Sequence, residues 1–292
     1  MKILKSLRYF ALISLLLAVA TSGTGYGAGN TFKPGFSLRL YGGFDYVKDG
    51  DLNAGLKGYS DSEIYYYSFF GYSHAGKYQD MHFGMEAGGD LVFQFSPYFG
   101  LGVGAGYSQA SKDSTITLTG PGTGKHILKP KVSAVPLRVS FFFFLPLSDV
   151  FRISLNAGAG YYLASVGADI RREMPTWWDE YEQKANGQGL GFQGGLGLEI
   201  RLTGPISLIL EGQGRYARIG QLKGTKIIRS SSGGQTKEEG TLYYWTDVYL
   251  FRPFPYIFIE SSKPSDPWQQ DVRKAVVDLT GGSVRGGFLF RF

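Results

Sequence analysis

The chain ends in the sequence GFLFRF at residues 287–292, and this stretch decides the fold. As an extended strand it places Phe288, Phe290 and Phe292 on one face and Arg291 on the other, because side chains alternate along a strand. A soluble domain rarely ends on such a strand, since an uncovered aromatic edge invites aggregation. In a closed membrane barrel the same strand completes the sheet and turns its aromatic face to lipid. The ending therefore predicts a β-barrel that spans a membrane.

The beginning of the chain predicts export. Lys2, Lys5 and Arg8 precede an apolar run over residues 9–20, which is too short for a spanning helix, and small residues follow. This order is typical of a secretory signal peptide. We therefore expect residues 1–28 to be a signal that is removed by cleavage between positions 20 and 28. The sequence contains no cysteine, so it predicts neither disulfides nor a lipoprotein anchor.

Residues 29–292 divide into eight segments of alternating polarity, each long enough to cross a bilayer as a tilted strand of about 9–11 residues. The predicted strands are residues 36–47, 81–95, 99–109, 132–145, 151–166, 190–202, 206–218 and 276–292. Three connections are short turns, and four are long, at about 48–80, 110–131, 167–189 and 219–275. Short periplasmic turns and long extracellular loops are typical of outer-membrane barrels. The sequence thus predicts an all-β, eight-stranded antiparallel transmembrane barrel.

The charged residues of the predicted strands share one face, and the apolar residues share the other. This sorting has a physical cause, because an arginine facing lipid at mid-bilayer costs about 2–4 kcal/mol. Side chains can fill the interior of an eight-stranded barrel, so the inward charges predict a lumen packed by crossed ion pairs. A narrow path for water or ions is the alternative that these residues leave open. The predicted lumen network consists of Arg39, Asp45, Glu86, Asp90, Arg138, Arg152, Glu199, Arg201, Glu211, Arg215, Arg285 and Arg291.

The eight-strand plan, the signal, the loop asymmetry and the terminal Phe292 resemble the small outer-membrane barrels of the OmpA/OmpX-type and opacity-like superfamily. The resemblance rests on pattern and covers essentially the whole mature chain. It implies a place in the bacterial outer membrane, in contact with outer-membrane lipid and lipopolysaccharide. Phe288, Phe290 and Phe292 also resemble the C-terminal aromatic signal that the barrel-assembly machinery recognises in its clients, which implies that machinery as a partner.

Two of the predicted loops are rich in aromatic residues. The first contains eight between residues 59 and 78, and the fourth, residues 219–275, is too aromatic for disorder. Segments 226–229 and 241–251 predict a hairpin above the membrane. Because Tyr and Trp are favoured hot-spot residues, loop four carries a candidate binding surface for an extracellular partner. This surface consists of Tyr243, Tyr244, Trp245, Tyr249, Phe254, Tyr256 and Trp268.

Two other interpretations of the aromatic residues remain open. In the first, they form an aromatic girdle and pack loop against loop, which plugs the mouth of the barrel. In the second, residues 241–251 and 256–260 are two further strands of a ten-stranded barrel. The second is disfavoured because a returning strand of five residues is too short to cross a bilayer.

The sequence does not predict catalysis. Of its three histidines, His82 shares a predicted strand face with Glu86 and Asp90, as an acid/base pair would. No serine nucleophile accompanies it at a diagnostic spacing, so we expect a rim histidine hydrogen-bonded into the lumen network. His74 and His126 lie in predicted loops, and three scattered histidines do not predict a metal site. We therefore expect no enzymatic activity, no metal and no cofactor.

Charge completes the functional expectation. The formal net charge of +6 falls to about +3 without the three cations of the signal, which gives no support for nucleic-acid binding. The sequence thus predicts a structural or surface-interaction role that is carried by the aromatic outer loops. A small porin, or a transporter of small or apolar molecules, is the alternative, and a lipid-modifying enzyme has the least support.

Overall fold

A computed structural model describes residues 32–48, 50–249 and 251–292 of the chain. The predicted signal peptide lies outside these described residues. Within them, the chain forms fifteen β-strands and one α-helix, α1 (Gly50–Ser68). The strands are β1 (Gly35–Val47), β2 (Ser73–Ala75), β3 (Phe83–Gln94), β4 (Phe99–Ser111), β5 (Ser114–Thr119), β6 (Thr123–Pro146), β7 (Phe151–Met174), β8 (Trp177–Thr203), β9 (Ile206–Ile219), β10 (Lys223–Ser230), β11 (Gln235–Tyr249), β12 (Arg252–Glu260), β13 (Gln269–Lys274), β14 (Val277–Asp278) and β15 (Gly281–Arg291).

Eight of these strands form a closed antiparallel ring, so the predicted eight-stranded barrel is confirmed. The order around the ring is β1, β3, β4, β6, β7, β8, β9 and β15. The terminal strand closes it against β1, with Phe288 opposite Leu40 and Phe290 opposite Leu38. The ten-stranded alternative is wrong, because β11 and β12 pair with each other outside the ring. We call the end of the ring that carries the short connections the turn end, and the opposite end the loop end.

The outward face of the ring carries an apolar belt that ends at one height on three neighbouring strands. On β6 the belt covers residues 137–145, which matches the roughly nine residues that a tilted strand needs to cross a bilayer. Beyond it, the same face becomes polar and then charged. The rows of cross-strand neighbours on β6, β7 and β8, read toward the loop end, are Leu137–Tyr161–Leu190, Val135–Leu163–Gln188, Ser133–Ser165–Asn186, Lys131–Gly167–Lys184 and Lys129–Asp169–Glu182.

Beyond the belt, the predicted loops form one folded unit, which we call the cap. Strands β6, β7 and β8 are 24, 24 and 27 residues long, and they continue past the barrel as a curved sheet. Strand β5 extends this sheet at one edge, and β10, β11 and β12 extend it at the other. The predicted hairpin of loop four is present as β10 and β11. The residues of predicted loops two and three mostly belong to extensions of the ring strands. The predicted strands 132–145, 151–166 and 190–202 are therefore shorter than β6, β7 and β8.

Helix α1 occupies the concave side of the cap, where sequence analysis predicted an irregular loop. Leu52, Leu56 and Tyr59 recur at spacings of four and three residues and are all buried. Gly55 faces β12, and a Cβ atom there would lie 2.5 Å from the Cβ of Ile257, so a glycine is required for this close approach. Within the described residues, we find no helix that is both long and apolar enough to span a bilayer.

Candidate functional site: the lumen and the cap

Arginine–carboxylate pairs fill the lumen. The structure brings eleven of the twelve predicted lumen residues into ion pairs with one another. Most of these side chains are buried, and a buried charge requires a partner in this way. The pairs are Arg39–Glu211 (2.5 Å), Arg138–Asp90 (3.1 Å), Arg152–Glu199 (2.6 Å), Arg215–Asp45 (3.0 Å), Arg291–Glu199 (2.9 Å), Arg285–Glu211 (3.6 Å) and Arg285–Glu86.

Glycines allow two of these pairs to reach across an intervening strand. Gly104 of β4 stands in register between Asp90 and Arg138, and Gly43 of β1 stands between Glu86 and Arg285. The two charged side chains, one from each strand that flanks the glycine, therefore meet over a position that has no side chain. Each such pair connects alternate strands of the ring, in addition to the hydrogen bonds between neighbours.

An aromatic layer separates the ion pairs at the turn end from those in the middle of the barrel. The rings of Phe142 and Phe144 are nearly parallel, with centroids 5.9 Å apart, and both side chains are buried. The guanidinium of Arg39 lies 4.9 Å from the centroid of Phe142, and that of Arg152 lies 4.1 Å from the centroid of Phe144. Such cation–π contacts suit arginine, whose delocalised charge is weakly hydrated. The two phenylalanine rings therefore form an apolar layer between two groups of ion pairs in the lumen.

Arg201 is the predicted network member for which we find no ion pair among the described residues. Its side chain is exposed at the turn end, two residues before β8 ends, so water solvates its charge. It lines a cavity of about 910 Å³ together with the lumen residues Arg152, Glu199 and Arg291. The prediction that Arg201 joins the packed network is therefore corrected.

The core of the cap is aromatic and centres on Tyr59 of α1. Its ring contacts those of His126, Tyr256 and Phe258 edge to face, with centroids 5.4, 5.7 and 5.2 Å away. The ring of Trp245 stacks on Tyr256 at 5.8 Å. Such pairs stabilise a core by about 0.5–1.5 kcal/mol each beyond the area that they bury. Tyr59 thereby attaches the helix to β6 and β12, and Trp245 of β11 packs behind Tyr256.

Charged and titratable groups line one side of this core. Arg172 of β7 pairs with Glu63 of α1 at 2.8 Å and also with Asp179 of β8. Burial raises the pKa of the Glu63 carboxyl, although the guanidinium of Arg172 opposes this shift. Burial also raises the pKa of Tyr59 well above its ordinary value. The Glu63–Arg172 pair connects the helix to the wall of the cap.

His126 is sealed in the cap, which corrects its predicted place in a loop. Its side chain is 2% exposed, and neither ring nitrogen has a hydrogen-bond partner among the described residues. Burial, with a smaller contribution from the nearby Arg172, lowers the pKa of His126 to about 3. The imidazole is therefore neutral at ordinary pH.

The other two histidines lie apart from the lumen and from each other. His82 precedes β3, its Nδ1 lies 3.1 Å from the carbonyl oxygen of Val47, and its ring stacks on Tyr46. The expected hydrogen bond into the lumen network is not found among the described residues. His74 is exposed on β2. The described part of the chain contains no group of three metal-ligating side chains.

The predicted binding surface of loop four is mostly interior. Trp245 and Phe254 are buried, and Tyr243, Tyr244 and Tyr256 are partly buried. The reason is that α1 and β13 pack against the β11–β12 hairpin, as in the interpretation in which the outer loops pack against one another. Only Tyr249 and Trp268 of the predicted set are exposed.

A different aromatic surface is exposed at the outer tip of the cap, and we call it the apex patch. The end of α1 and the β11–β12 turn meet there through Tyr65, whose ring lies 4.9 Å from Phe69 and 6.3 Å from Tyr249. Phe251 in the turn is 99% exposed. The apex patch consists of Tyr66, Phe69, Phe70, Tyr249, Phe251 and Trp268, all exposed. The eight aromatics of loop one were the signal that could have located it.

The predicted assembly signal lies on the terminal strand. Phe288 and Phe292 are exposed on its outward face, and Phe290 is partly exposed. Arg291 points the other way and pairs with Glu199. The alternation of the last six residues is therefore present in the structure, while recognition by an assembly machinery stays a prediction.

Comparisons with known proteins give weak similarity. No protein-family model and no curated protein matches the chain. Among solved structures, the outer membrane protein OprG from Pseudomonas aeruginosa is similar with a TM-score of 0.37 and 12% identity, over 89% of this chain and 97% of that one. The siderophore receptor PirA from Pseudomonas aeruginosa has a TM-score of 0.10 and 9% identity, over 90% and 81%. Likeness at this level carries no argument, and the description of the barrel rests on the strand pairing given above.

Proposed function

We propose that this protein is a bacterial outer-membrane barrel with a closed lumen, whose cap presents the apex patch to a partner outside the cell. One observation carries the proposal: the interior is occupied by side chains and by α1, while six aromatic side chains at the tip are exposed. An interior filled in this way suits a structural barrel. Exposed Tyr, Phe and Trp rings suit an interaction surface.

The outward belt supports a place in a membrane. Its residues are apolar over the length that a bilayer requires, and the charged rows begin only beyond it. A closed barrel also leaves no strand edge in lipid. The short turns and long loops lie at opposite ends, as in outer-membrane barrels.

The transport alternative has less support. The inward charges of the ring are mostly paired, whereas a selective pore needs groups that are free to contact a passing ion. The mouth at the loop end is occupied by α1, which packs on β12. We assign no catalytic role, because His126 is sealed and His82 stacks at the rim.

Cysteine labelling tests the location, since the sequence contains no natural cysteine. We expect Phe251→Cys, in the apex patch, to react with a membrane-impermeant maleimide on intact Gram-negative cells. The matched control is Ser148→Cys in a short turn, which should react only after the outer membrane is opened. Equal labelling of both variants on intact cells, or of neither, would overturn the proposed location and orientation.

Conductance tests the closed lumen. In planar bilayers we expect the purified protein to show no stable, discrete openings. Such openings would overturn the closed lumen and favour the small porin. Boiled and unboiled samples run side by side on detergent gels verify that the inserted protein is a folded barrel.

Adhesion tests the apex patch. Cells that display Phe69→Ser/Phe70→Ser/Phe251→Ser should partition into hexadecane less than cells that display the unchanged protein. The control Lys57→Ser/Lys263→Ser alters exposed side chains outside the patch. Equal partitioning of all three would remove the apex patch as the interaction surface.

A further inference from the structure

A groove lies on the outer wall of the barrel where β8 changes its partner. On this side β8 pairs with β9 as far as Gly191 opposite Ala217, and it pairs with β10 from Asn186 opposite Lys223. Between these pairs, residues 187–190 of β8 have no register partner on this side among the described residues. The groove has a volume of about 790 Å³ and lies at the upper edge of the apolar belt.

The groove is closed toward the lumen. Ile219 and Leu222 are fully buried and cover it from inside. A Cβ atom at Gly189 would lie 2.9 Å from Ile219, and one at Gly187 would lie 3.1 Å from Leu222, so these side chains touch the backbone of β8. The groove is therefore a blind pocket in the wall that opens only outward, and it does not lead into the barrel.

The chemistry of the groove changes in three steps along the strands. Tyr161 and Leu163 lie at the belt side, where a bilayer would place acyl chains. A row of uncharged polar groups follows, and a row of lysines lies beyond it. The polar groups are Ser133, Ser165, Asn186, Gln188 and Gln221. Lys131 and Lys184 form the row beyond them, and Lys223 of β10 stands at the height of Asn186.

Three lysines lie at the polar end of the groove, on β6, β8 and β10. Lys131 and Lys184 flank Gly167 in register, and because Gly167 has no side chain, none stands between the two lysines. Lys223 stands beside them on β10, opposite Asn186. All three are exposed, and none has an ion pair among the described residues. The carboxylates of Asp169 and Glu182 lie one row further out, in register with Lys129.

We propose that this groove binds a phosphorylated glycolipid of the outer leaflet, of the lipid A type. An acyl chain would lie along Tyr161 and Leu163, the sugar would contact the polar row, and a phosphate would sit between the lysines. The apolar residues Tyr161 and Leu163 lie roughly 13–20 Å from the lysine row along the strands, at about 3.3 Å per residue. This distance suits a single amphiphilic molecule that spans the membrane interface. The sugar hydroxyls distinguish this ligand from a phospholipid, whose glycerol ester would leave most of the polar row unused.

This inference rests on the proposed outer-membrane location, because only there does the loop end face such a lipid. It also adds to that proposal, since it gives the wall of the barrel a specific lipid contact separate from the apex patch. The two surfaces share no residue, so they can be tested independently.

Titration of purified full-length protein with diphosphoryl lipid A in non-ionic detergent tests the inference, with bound lipid measured by native mass spectrometry. We expect Lys131→Gln/Lys184→Gln/Lys223→Gln to weaken the apparent affinity roughly 100-fold, because each lysine near an anionic lipid contributes about a factor of five. The matched control Lys77→Gln/Lys263→Gln/Lys274→Gln removes the same charge elsewhere on the cap. Its apparent affinity for lipid A should stay within about twofold of that of the unchanged protein. Added salt should weaken binding to the unchanged protein.

A steric variant tests the groove itself. Ser165→Trp leaves all three lysines in place but fills the polar row, and we expect at least a tenfold loss of lipid A affinity. Equal affinity of the lysine triple variant and its control would overturn the inference. Equal affinity for phosphatidylglycerol would overturn the glycolipid assignment in favour of anionic lipid in general.

Two failures can be told apart. A heat-modifiable barrel that labels correctly at Phe251→Cys but does not bind lipid A refutes only the groove. A protein that fails the labelling test refutes the location, whatever it binds in detergent. Heat-modifiable migration of each variant verifies that a loss of binding is not a loss of folding.

Discussion

The lumen and the cap fill their interiors with opposite chemistry. In the lumen, arginines and carboxylates meet across the ring, as Arg39 and Glu211 do at 2.5 Å. In the cap, aromatic rings surround Tyr59, and a whole helix is needed to cover the curved sheet. The difference follows from width, because an eight-stranded ring is narrow enough for long side chains to fill, and an open sheet is not. Ion pairs therefore determine the packing of the lumen, whereas the fit of α1 against the sheet determines the packing of the cap.

The largest effect is expected from an unpaired charge in the lumen. Arg285→Leu leaves Glu86 and Glu211 buried without one of their partners, and we expect the free energy of unfolding to fall by about 3–5 kcal/mol. Urea titration of the protein in lipid, followed by far-ultraviolet circular dichroism of the strands, measures it. The control Arg201→Leu alters an exposed arginine and should cost less than about 0.5 kcal/mol. A small loss for both would show that the lumen is solvated and that the comparison with the cap is false.

The next largest effect is expected from overpacking at Gly55, which should loosen the cap and leave the barrel unchanged. Gly55→Leu places a side chain where Ile257 packs, and overpacking costs about 1–3 kcal/mol. Leucine is a better helix former than glycine, so a loss can be assigned to packing. We expect faster limited proteolysis of residues 50–68, with unchanged heat-modifiable migration of the barrel. Lys57→Leu on the exposed side of α1 is the control, and equal protection of both variants would contradict the close fit.

Acid should loosen the cap through His126. Its pKa is lowered to about 3 in the folded cap, whereas an unfolded histidine titrates near 6.5, so the open form binds more protons as the pH falls. Stability is therefore lost progressively from pH 6.5 toward pH 3, and the loss at pH 5 is about 2 kcal/mol, from 1.36 kcal/mol per unit. Hydrogen exchange of residues 50–68, corrected for intrinsic rates, measures it.

The titration of Glu63 changes the stability of the cap with pH in the opposite direction to that of His126. Its pKa is raised by burial, so its contribution to stability is present at low pH and is lost as the pH rises through the folded value. His126→Leu isolates the contribution of the histidine, because Glu63 is unchanged in that variant. If the unchanged protein and His126→Leu respond equally to acid between pH 6.5 and 5, the sealed histidine does not control the cap.

The smallest effect concerns one hydrogen bond. The hydroxyl of Tyr256 donates to Oγ of Ser62 on α1 at 2.7 Å, and Tyr256→Phe removes this bond. Because Ser62 still donates to the carbonyl oxygen of Tyr59, we expect a loss of only about 1 kcal/mol in cap protection by hydrogen exchange. Tyr249→Phe, at an exposed ring, should change nothing measurable. A larger loss for Tyr256→Phe would indicate that polar contacts stabilise the cap more than its packing does.

The ring could be predicted from the sequence because lipid enforces a strict pattern. Each outward position must be apolar, so the alternation of residues such as Phe290, Arg291 and Phe292 indicates both the strand and its faces. The partners within the lumen could not be predicted. Whether Arg138 meets Asp90 depends on the register of three strands and on Gly104 between them, and alternation alone does not reveal register.

The cap was hard to predict because no single period describes it. Helix α1 combines glycines, polar residues and tyrosines, and its close contact with Ile257 comes from a distant part of the chain. A local signal did exist for His126: Lys125, Lys129 and Lys131 alternate with buried positions, which indicates that β6 continues past the belt. The predicted strand begins at residue 132, whereas β6 begins at Thr123.

The distance along the chain between α1 and β12 has a consequence for the timing of assembly. Gly55 packs against Ile257, which lies far along the chain, so the helix gains this contact only after the chain has folded back on itself. Gly55 and Gly58 weaken α1 as an isolated helix, and closing so long a loop is slow. We therefore expect the mouth of the barrel to be sealed last, which would leave the arginines inside in contact with water while they find their partners.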